Sequence, residues 1–501
     1  MTQLKETTVN TRAVSKLGEK SRKGFLWLLL GTAGQNALQI LSLLVLARIL
    51  TPEEFGVVGV GMAVIAFLRI FSEIGVGPAL VQKEDVTLID IKTANTLSLI
   101  FGVVLAGLLY AQSGHLAAFF DMPQLATVLQ AMAFMLPLVS YSVVGQSLLQ
   151  RNFEFKKVSG ITFISYLIAY GFVSIYMALH GYGLWSLIAA YWVQSISFFV
   201  LTVILCRDTL KLGFNLPSAK GMLNYGTGHS MARLCNYAAG QGDNLIIGKI
   251  LGSGSVGLYG RAYQIMSMPA ILFGSVIDKV FFPLMAKLRN NRQDLEKLYL
   301  SSIYFSLLIF IYLSGYVFIF SEQITYLLFG SGWSDVAGLI EIMAIGLYFR
   351  VGYKFSDCLT LAMGNIYARA SIQFLYALAV LSFVLIGSHW GLKGAATGVV
   401  SALILNYLMM TSMAWRILHF KLLAMAARHL KNFAIFLVGL ALFKAIDLNV
   451  HIDSPLLSFI ASSFIYCLAL GVTTLLCKRF LTQEFGVLML ILGKSQVREP
   501  E

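Results

Sequence analysis

Five charged residues stand where membrane-spanning helices would bury them deepest: Arg69, Glu73, Arg233, Arg350 and Lys354. Each lies inside a long apolar run. A charge at bilayer depth costs roughly 2.5–3.5 kcal/mol on insertion scales, so it is kept where it faces a protein interior or a wet cavity. Four of the five are cations. Arg350 and Lys354 share a helical face at i,i+4 spacing, where like charges repel unless an anion answers them. Arg69 and Glu73 have the same spacing and opposite sign. Left uncompensated, the four cations would cost of order 10 kcal/mol in lipid, so they are expected to line a hydrated cavity. A diphosphate suits such a cavity, because its oxygens accept the forked donors of arginine and the point charge of lysine. The alternative is structural ion pairing, with Arg69–Glu73 and Lys354–Asp357 as the obvious pairs. Arg69, Arg233, Arg350 and Lys354 are thus the candidate ligand contacts. Glu73, Asp243 and His229 are the candidates for coupling an ion. Arg261, Asp278, Lys279, Glu341 and Asp357 fall nearer the span ends.

Other chemistries lack their residues. Gly252-Ser253-Gly254-Ser255-Val256-Gly257 matches the dinucleotide glycine pattern but falls in a turn between apolar runs, with no strand before it. There is no Walker A sequence, no His/Glu zinc spacing and no credible nucleophile arrangement. The sequence therefore points to no catalytic residues, no metal and no cofactor. The five cysteines form no close-spaced pair and read as membrane-embedded thiols.

The elements that must position the charges are helices. The chain has 501 residues, 58% of them hydrophobic and 12% charged, against about 25% charged in a soluble chain. Repeated uncharged runs of about 20 residues make it an all-α polytopic membrane protein. Apolar runs give spans near 25–47, 57–81, 94–112, 125–149, 158–179, 184–206, 222–247, 258–285, 298–320, 335–362, 368–387, 392–413, 432–450 and 455–477, about fourteen in all. The weakest is 432–450, where Lys444 and Asp447 would have to snorkel. No cleavable signal is apparent, because the polar N-terminus is too long.

Lysine and arginine placement sets the orientation. With the N-terminus inside, the outside turns hold only Arg48, Lys249, Lys393 and Lys444, and most of the 37 basic residues fall in inside segments. Both termini are then cytoplasmic. The net charge of +13 is explained by basic loops facing anionic lipid rather than by nucleic acid.

The chain also repeats itself. Arg48-Ile49-Leu50 precedes Gly56 as Lys249-Ile250-Leu251 precedes Gly257, each between two long apolar runs. His180-Gly181-Tyr182-Gly183-Leu184 has a counterpart in His389-Trp390-Gly391-Leu392. The implied organisation is a cytoplasmic segment (1–23), a first lobe of six spans (24–206), a linker (207–221), a second lobe of six (222–413), two last spans with a basic loop before them (414–477) and a tail (478–501). A parallel repeat of this kind places a substrate site between halves near mid-membrane. Pro137, Pro269 and Pro283 lie inside spans, where a missing hydrogen bond allows a kink.

Several of these segments resemble a known family. The stretch from Trp27 to Gln82, with Ala47-Arg48-Ile49-Leu50-Thr51-Pro52-Glu53-Glu54-Phe55-Gly56 and Gly75-Val76-Gly77-Pro78-Ala79-Leu80-Val81-Gln82, resembles the Wzx-type polysaccharide flippases of the MOP exporter superfamily. So do Leu148-Leu149-Gln150-Arg151-Asn152-Phe153-Glu154-Phe155-Lys156 and Gly257-Leu258-Tyr259-Gly260-Arg261-Ala262-Tyr263. The likeness covers about residues 20–415, and is close to the colanic acid exporter-like branch. It implies two six-helix lobes in a MATE-like V plus two C-terminal helices. It also implies alternating access and an undecaprenyl-diphosphate-linked oligosaccharide moved to the periplasmic leaflet of the bacterial inner membrane. Its implied partners are that lipid-linked oligosaccharide, membrane lipids and the polysaccharide polymerase and export machinery, around a monomeric transport unit.

Two other readings compete. A MATE-like multidrug or small-cation exporter of the same fold would call for central carboxylates, which the excess of cations disfavours. A polysaccharide polymerase or ligase would call for a large catalytic outside loop, and the outside turns are short.

Overall fold

The computed structural model describes residues 27, 31, 34–73, 76–83, 85–207, 211–447 and 454–476, without the side chains of 225–232, 235–236 and 455. Among them the secondary structure is helical, with no strand. Among the described residues eleven helices are long and apolar enough to cross a membrane, and a pair bent by 44° would make a twelfth. A count of fourteen is compatible with this. One further apolar helix is shorter, and one 61-residue helix contains a break. The protein is a multi-pass membrane protein. Its residues fall into two compact units: Met1–Tyr237 with Gly252–Gly257, and Ala238–Leu251 with Leu258–Glu501.

The first unit contains α1 (Gly34–Leu46), α2 (Pro52–Glu73), α3 (Val76–Gln82), α4 (Leu88–Phe120), α5 (Pro123–Ala133), α6 (Leu136–Arg151), α7 (Phe155–Leu179) and α8 (Trp185–Leu205). Helix α2 starts with proline in its first turn, where the missing N–H costs nothing. Its N-terminus is closed by Thr51 and Glu54, each accepting the other's backbone N–H. The bend between α5 and α6 falls beside Pro137, one of the kinks expected from sequence. Helix α7 carries a π-helical stretch at Leu167–Val173. Gly102 lets α4 pass close to α6, since a Cβ there would sit 2.8 Å from the Pro137 Cα. Val76, Leu80, Ile91, Leu97, Val144 and Leu148 form the core at this end.

Residues 211–215 dock on α4. Asn95 donates to the Lys211 carbonyl at 3.2 Å, Thr96 to the Gly213 carbonyl at 2.8 Å, and Asn215 N–H donates to Thr93 at 3.1 Å. Asn215 then accepts from Ser218 N–H at 3.1 Å and opens α9 (Leu216–Val276). The only non-helical residue inside α9 is Gly252 (φ 81°, ψ 176°). The glycine pattern at 252–257 is therefore a one-residue break and a helix start, not a phosphate loop. The N-terminal turns of α2 and of the second half of α9 cross backbone to backbone. A Cβ on Gly56 would lie 1.7 Å from the Ser253 carbonyl oxygen, and one on Gly257 would lie 1.9 Å from the Pro52 carbonyl oxygen. The two glycines matched in the repeat thus pack reciprocally.

The second unit continues through a π turn at Ile277–Phe281 into α10 (Phe282–Lys287), α11 (Arg292–Ile319), α12 (Ser321–Phe329), α13 (Asp335–Ala362), α14 (Ile366–Ser388), α15 (Gly391–Leu418), α16 (Leu422–Asp447) and α17 (Pro455–Leu476). Helix α13 is central, with Leu347, Val351, Phe355 and Leu359 fully buried. Helices α14 and α15 touch through backbone, since a Cβ on Gly398 would lie 2.4 Å from the Phe383 carbonyl oxygen. Helix α16 starts ten residues before the span expected at 432–450. The Leu422–Lys431 stretch is rich in strong helix formers and extends the helix instead of forming a loop. Asn432 fixes it by donating to the Tyr304 carbonyl at 3.0 Å. Tyr312, Tyr316 and Tyr466 join α17 to α11 through hydroxyl bonds of 2.8–3.0 Å.

Candidate functional site

In the first unit the charges expected at mid-span form a trio. Glu73 closes α2 and is the acceptor for two arginines. Arg69, one turn back, donates to its Oε1 at 3.0 Å, and Arg233 on α9 donates to its Oε2. The Glu73 side chain is 10% exposed, while Arg69 and Arg233 remain 40% and 36% exposed. Among the described residues Arg69 Nε is buried with no hydrogen-bond partner. Tyr237, one turn beyond Arg233, donates to the Ala63 carbonyl at 2.8 Å, and its ring lies 5.6 Å from Phe67. These contacts hold the α9 segment on α2 and so hold Arg233 at Glu73. The trio carries a net positive charge on half-exposed guanidinium groups. The Arg69–Glu73 pairing was visible from spacing; the second arginine on the same carboxylate was not. The His229 side chain lies outside the described residues.

In the second unit, Arg350 and Lys354 sit one turn apart on α13 and differ in their partners. Lys354 pairs with Asp278 at 3.4 Å, not with Asp357. Asp357 faces the next helix and accepts both Nε and Nη2 of Arg369. The reason is direction: Asp357 is 5% exposed and turned to the α14 side of α13, whereas the Lys354 stem lies along Gly274, 3.4 Å from where its Cβ would be. The Lys354–Asp278 pair is open to solvent, with Asp278 54% exposed, and exposed pairs contribute little. Among the described residues Arg350 has no carboxylate partner. It donates to the Tyr263 hydroxyl at 2.9 Å and lies over the Tyr263 ring, 5.1 Å from its centroid. Tyr353 and Tyr376 are within electrostatic reach of the same guanidinium.

Asp243, on the first half of α9, is 1% exposed. It accepts from the Tyr259 hydroxyl and from Asn244 N–H at 2.8 Å. Tyr259 and Tyr263 are one turn apart with ring centroids 5.8 Å apart. These tyrosines were not singled out by sequence, although their i,i+4 spacing beside Arg261 was the available signal. A second missed feature is His429 on α16, whose two ring nitrogens meet Tyr348 at 2.6 Å and Tyr407 at 2.8 Å. Among the described residues no three His, Cys, Asp or Glu groups converge as metal ligands. Two visible clefts lie elsewhere. One of about 290 Å³ is lined by Lys83, Asp90 and Ser218, and one of about 490 Å³ by Phe383, Trp390 and Gly398.

Of the four candidate cations, then, two share Glu73, one has a loose surface partner and one rests on tyrosine. Chemically, the exposed guanidinium edges of Arg69 and Arg233, and the remaining donors of Arg350 with Lys354, can receive an oxyanion in each unit.

A family described as "Polysaccharide biosynthesis protein" has a model that matches residues 45–338. The chain is 25% identical over 384 residues to the teichuronic acid biosynthesis protein TuaB of Bacillus subtilis (strain 168), covering 73% of this chain and 77% of that one. It is 24% identical over 400 residues to the lipopolysaccharide biosynthesis protein WzxC of Escherichia coli (strain K12), covering 78% and 80%. Among solved structures it is similar to the lipid II flippase MurJ in an inward closed conformation, with a TM-score of 0.74 and 15% identity, covering 91% of this chain and 99% of that one. It is also similar to an inward-facing MATE family multidrug transporter of the MOP superfamily, with a TM-score of 0.62 and 15% identity, covering 76% and 94%. The fold is MurJ- and MATE-like.

Proposed function

The chain belongs to the polysaccharide biosynthesis protein family, and from that membership we propose that it is a flippase for undecaprenyl-diphosphate-linked oligosaccharide units. The cargo crosses from the cytoplasmic to the periplasmic leaflet of a bacterial inner membrane by alternating access, for a surface polysaccharide. Both termini are cytoplasmic, the chain is a transporter rather than an enzyme, and the unit of transport is the monomer. Residues 24–206 and 222–413 are the two lobes, joined by 207–221, with 414–477 appended. Arg350, Lys354, Arg69 and Arg233 contact the diphosphate and its sugars. Glu73 and Asp243 are the carboxylates available to couple an ion.

The observation that carries this reading is Arg350. A guanidinium held on a tyrosine, with no carboxylate partner among the described residues, keeps its charge for a ligand. Structural arginines in apolar surroundings are normally paired. The test is polysaccharide export in cells lacking the native protein. Arg350→Ala and Lys354→Ala at normal protein levels should abolish surface polysaccharide and accumulate the lipid-linked unit. Full export by both would remove these residues from the site.

One observation favours a second reading, a MATE-like exporter of small cations: Asp243 is a buried carboxylate bonded to the Tyr259 hydroxyl, with Tyr263 packed beside Tyr259, a setting that also suits an organic cation. Drug resistance on overexpression, with no defect in polysaccharide export on deletion, would select it.

A further inference from the structure

Three tyrosines of the second unit stand around Arg350. Tyr263 takes one guanidinium N–H at 2.9 Å. Tyr353, three residues along α13, and Tyr376 on α14 are within electrostatic reach of the same guanidinium and of each other. Tyr353 is also within reach of Lys354. Among the described residues neither the Tyr353 nor the Tyr376 hydroxyl has a hydrogen-bond partner, although Tyr376 is only 8% exposed. We infer that Tyr353 and Tyr376 are specificity residues: their hydroxyls complete a two-phosphoryl site on Arg350 and Lys354 that selects a lipid diphosphate over a lipid monophosphate. The inference rests on the reading that Arg350 and Lys354 contact the headgroup, and it adds which headgroup they accept.

A buried phenol normally finds a hydrogen-bond partner. A hydroxyl kept without one beside a cation is a donor held ready for an arriving oxygen. A carboxylate in the same place would neutralise the arginine and repel the anion. A hydroxyl adds an O–H donor and no competing charge. The nearby acids are kept from competing. Asp357 is committed to Arg369, and Asp278 holds Lys354 only at 3.4 Å from an exposed position. Spacing sets the selectivity. Arg350, Tyr353 and Lys354 stand at i, i+3 and i+4 on one face of α13, with Cβ atoms about 5–6 Å apart. A diphosphate carries two sets of non-bridging oxygens joined through one bridging oxygen, a reach that matches groups one helical turn apart. One phosphoryl group meets Arg350 and the Tyr376 hydroxyl, the other meets Lys354, and Tyr353 donates between them. A monophosphate fills only the Arg350 end and forgoes Lys354 and Tyr353.

The experiment is binding of undecaprenyl diphosphate and of undecaprenyl phosphate to the purified full chain in detergent, followed by thermophoresis at one pH and one salt concentration. The parent should prefer the diphosphate by roughly tenfold or more, the effect of one further charge-assisted contact. Tyr353→Phe keeps the ring and loses the hydroxyl. It should weaken diphosphate binding about tenfold more than monophosphate binding, so that the preference collapses. Tyr376→Phe should weaken both lipids about tenfold, because its partner is the phosphoryl group they share. Neither hydroxyl has a bond within the described protein to lose, so the melting midpoint of each variant should not fall. A parent that binds the two lipids equally overturns the inference while the site stands. So does Tyr353→Phe with the parental preference, Tyr376→Phe with the parental affinity, or a lowered midpoint in either. If Arg350→Ala binds both lipids as well as the parent, the reading of the site itself fails.

Discussion

The reciprocal glycine contact between α2 and α9 gives the sharpest test of the fold. Gly56→Ala would place a methyl carbon 1.7 Å from the Ser253 carbonyl oxygen and 2.5 Å from its carbon. Contacts of this kind are essentially never closer than 3.0 Å, so the crossing must open by about an ångström. The obstacle is backbone, which cannot rotate away as a side chain could. Overpacking costs about 1–3 kcal/mol, and the better helix propensity of alanine returns about 0.5–1 kcal/mol. A net loss of roughly 2 kcal/mol follows at the upper end of those ranges. The control is Gly107→Ala on α4, where a Cβ meets nothing within 4 Å and only the propensity gain remains. Thermal unfolding of the purified protein in detergent should give a lower midpoint for Gly56→Ala and an unchanged or raised one for Gly107→Ala. Gly257→Ala strikes the Pro52 carbonyl at the same crossing, so once the first substitution has opened it the second should cost less, and the pair should be less than additive. Equal midpoints for Gly56→Ala and Gly107→Ala, or full additivity of the Gly56/Gly257 pair, would show that the two helix starts do not meet as described.

Three further outcomes follow from named contacts. Glu73→Ala leaves Arg69 and Arg233 without their shared acceptor and should destabilise by about 1–3 kcal/mol; adding Arg233→Gln should recover part of the loss in the same melting assay. Arg369→Leu strands Asp357, which is 5% exposed, and should lower the midpoint by the equivalent of about 3 kcal/mol, with Asp357→Asn relieving it. His429→Leu deprives the Tyr348 and Tyr407 hydroxyls of their partner and should cost about 1–3 kcal/mol, seen as earlier proteolysis of α16.

How far each feature could be read from sequence depended on whether its cause was local. Apolar runs reported spans because the bilayer demands them, and the 61-residue α9 blurred only a boundary, since one glycine with φ 81° suffices to turn the chain. Pro137 reported its bend for the same local reason. The basic stretch before the last pair was misread as a loop: in Leu422–Lys431 helix propensity outweighed charge, and no cue in a charge count could say so. The place of the candidate cations in apolar runs says nothing of their partners. Lys354 appeared to belong to Asp357, three residues on, and instead reaches Asp278.

The sequence by itself determined the solvent this chain folds in, its helices and the Arg69–Glu73 pair, because hydrophobic length and i,i+4 spacing act within one stretch of backbone. Only the tertiary structure decided that Arg233 shares Glu73, that Arg350 rests on Tyr263 rather than on an acid, and that Gly56 meets Ser253. Those partners lie on other helices. Which of several chemically acceptable partners a buried charge or a bare glycine meets is set by how helices cross, and side-chain spacing along one helix carries no record of that.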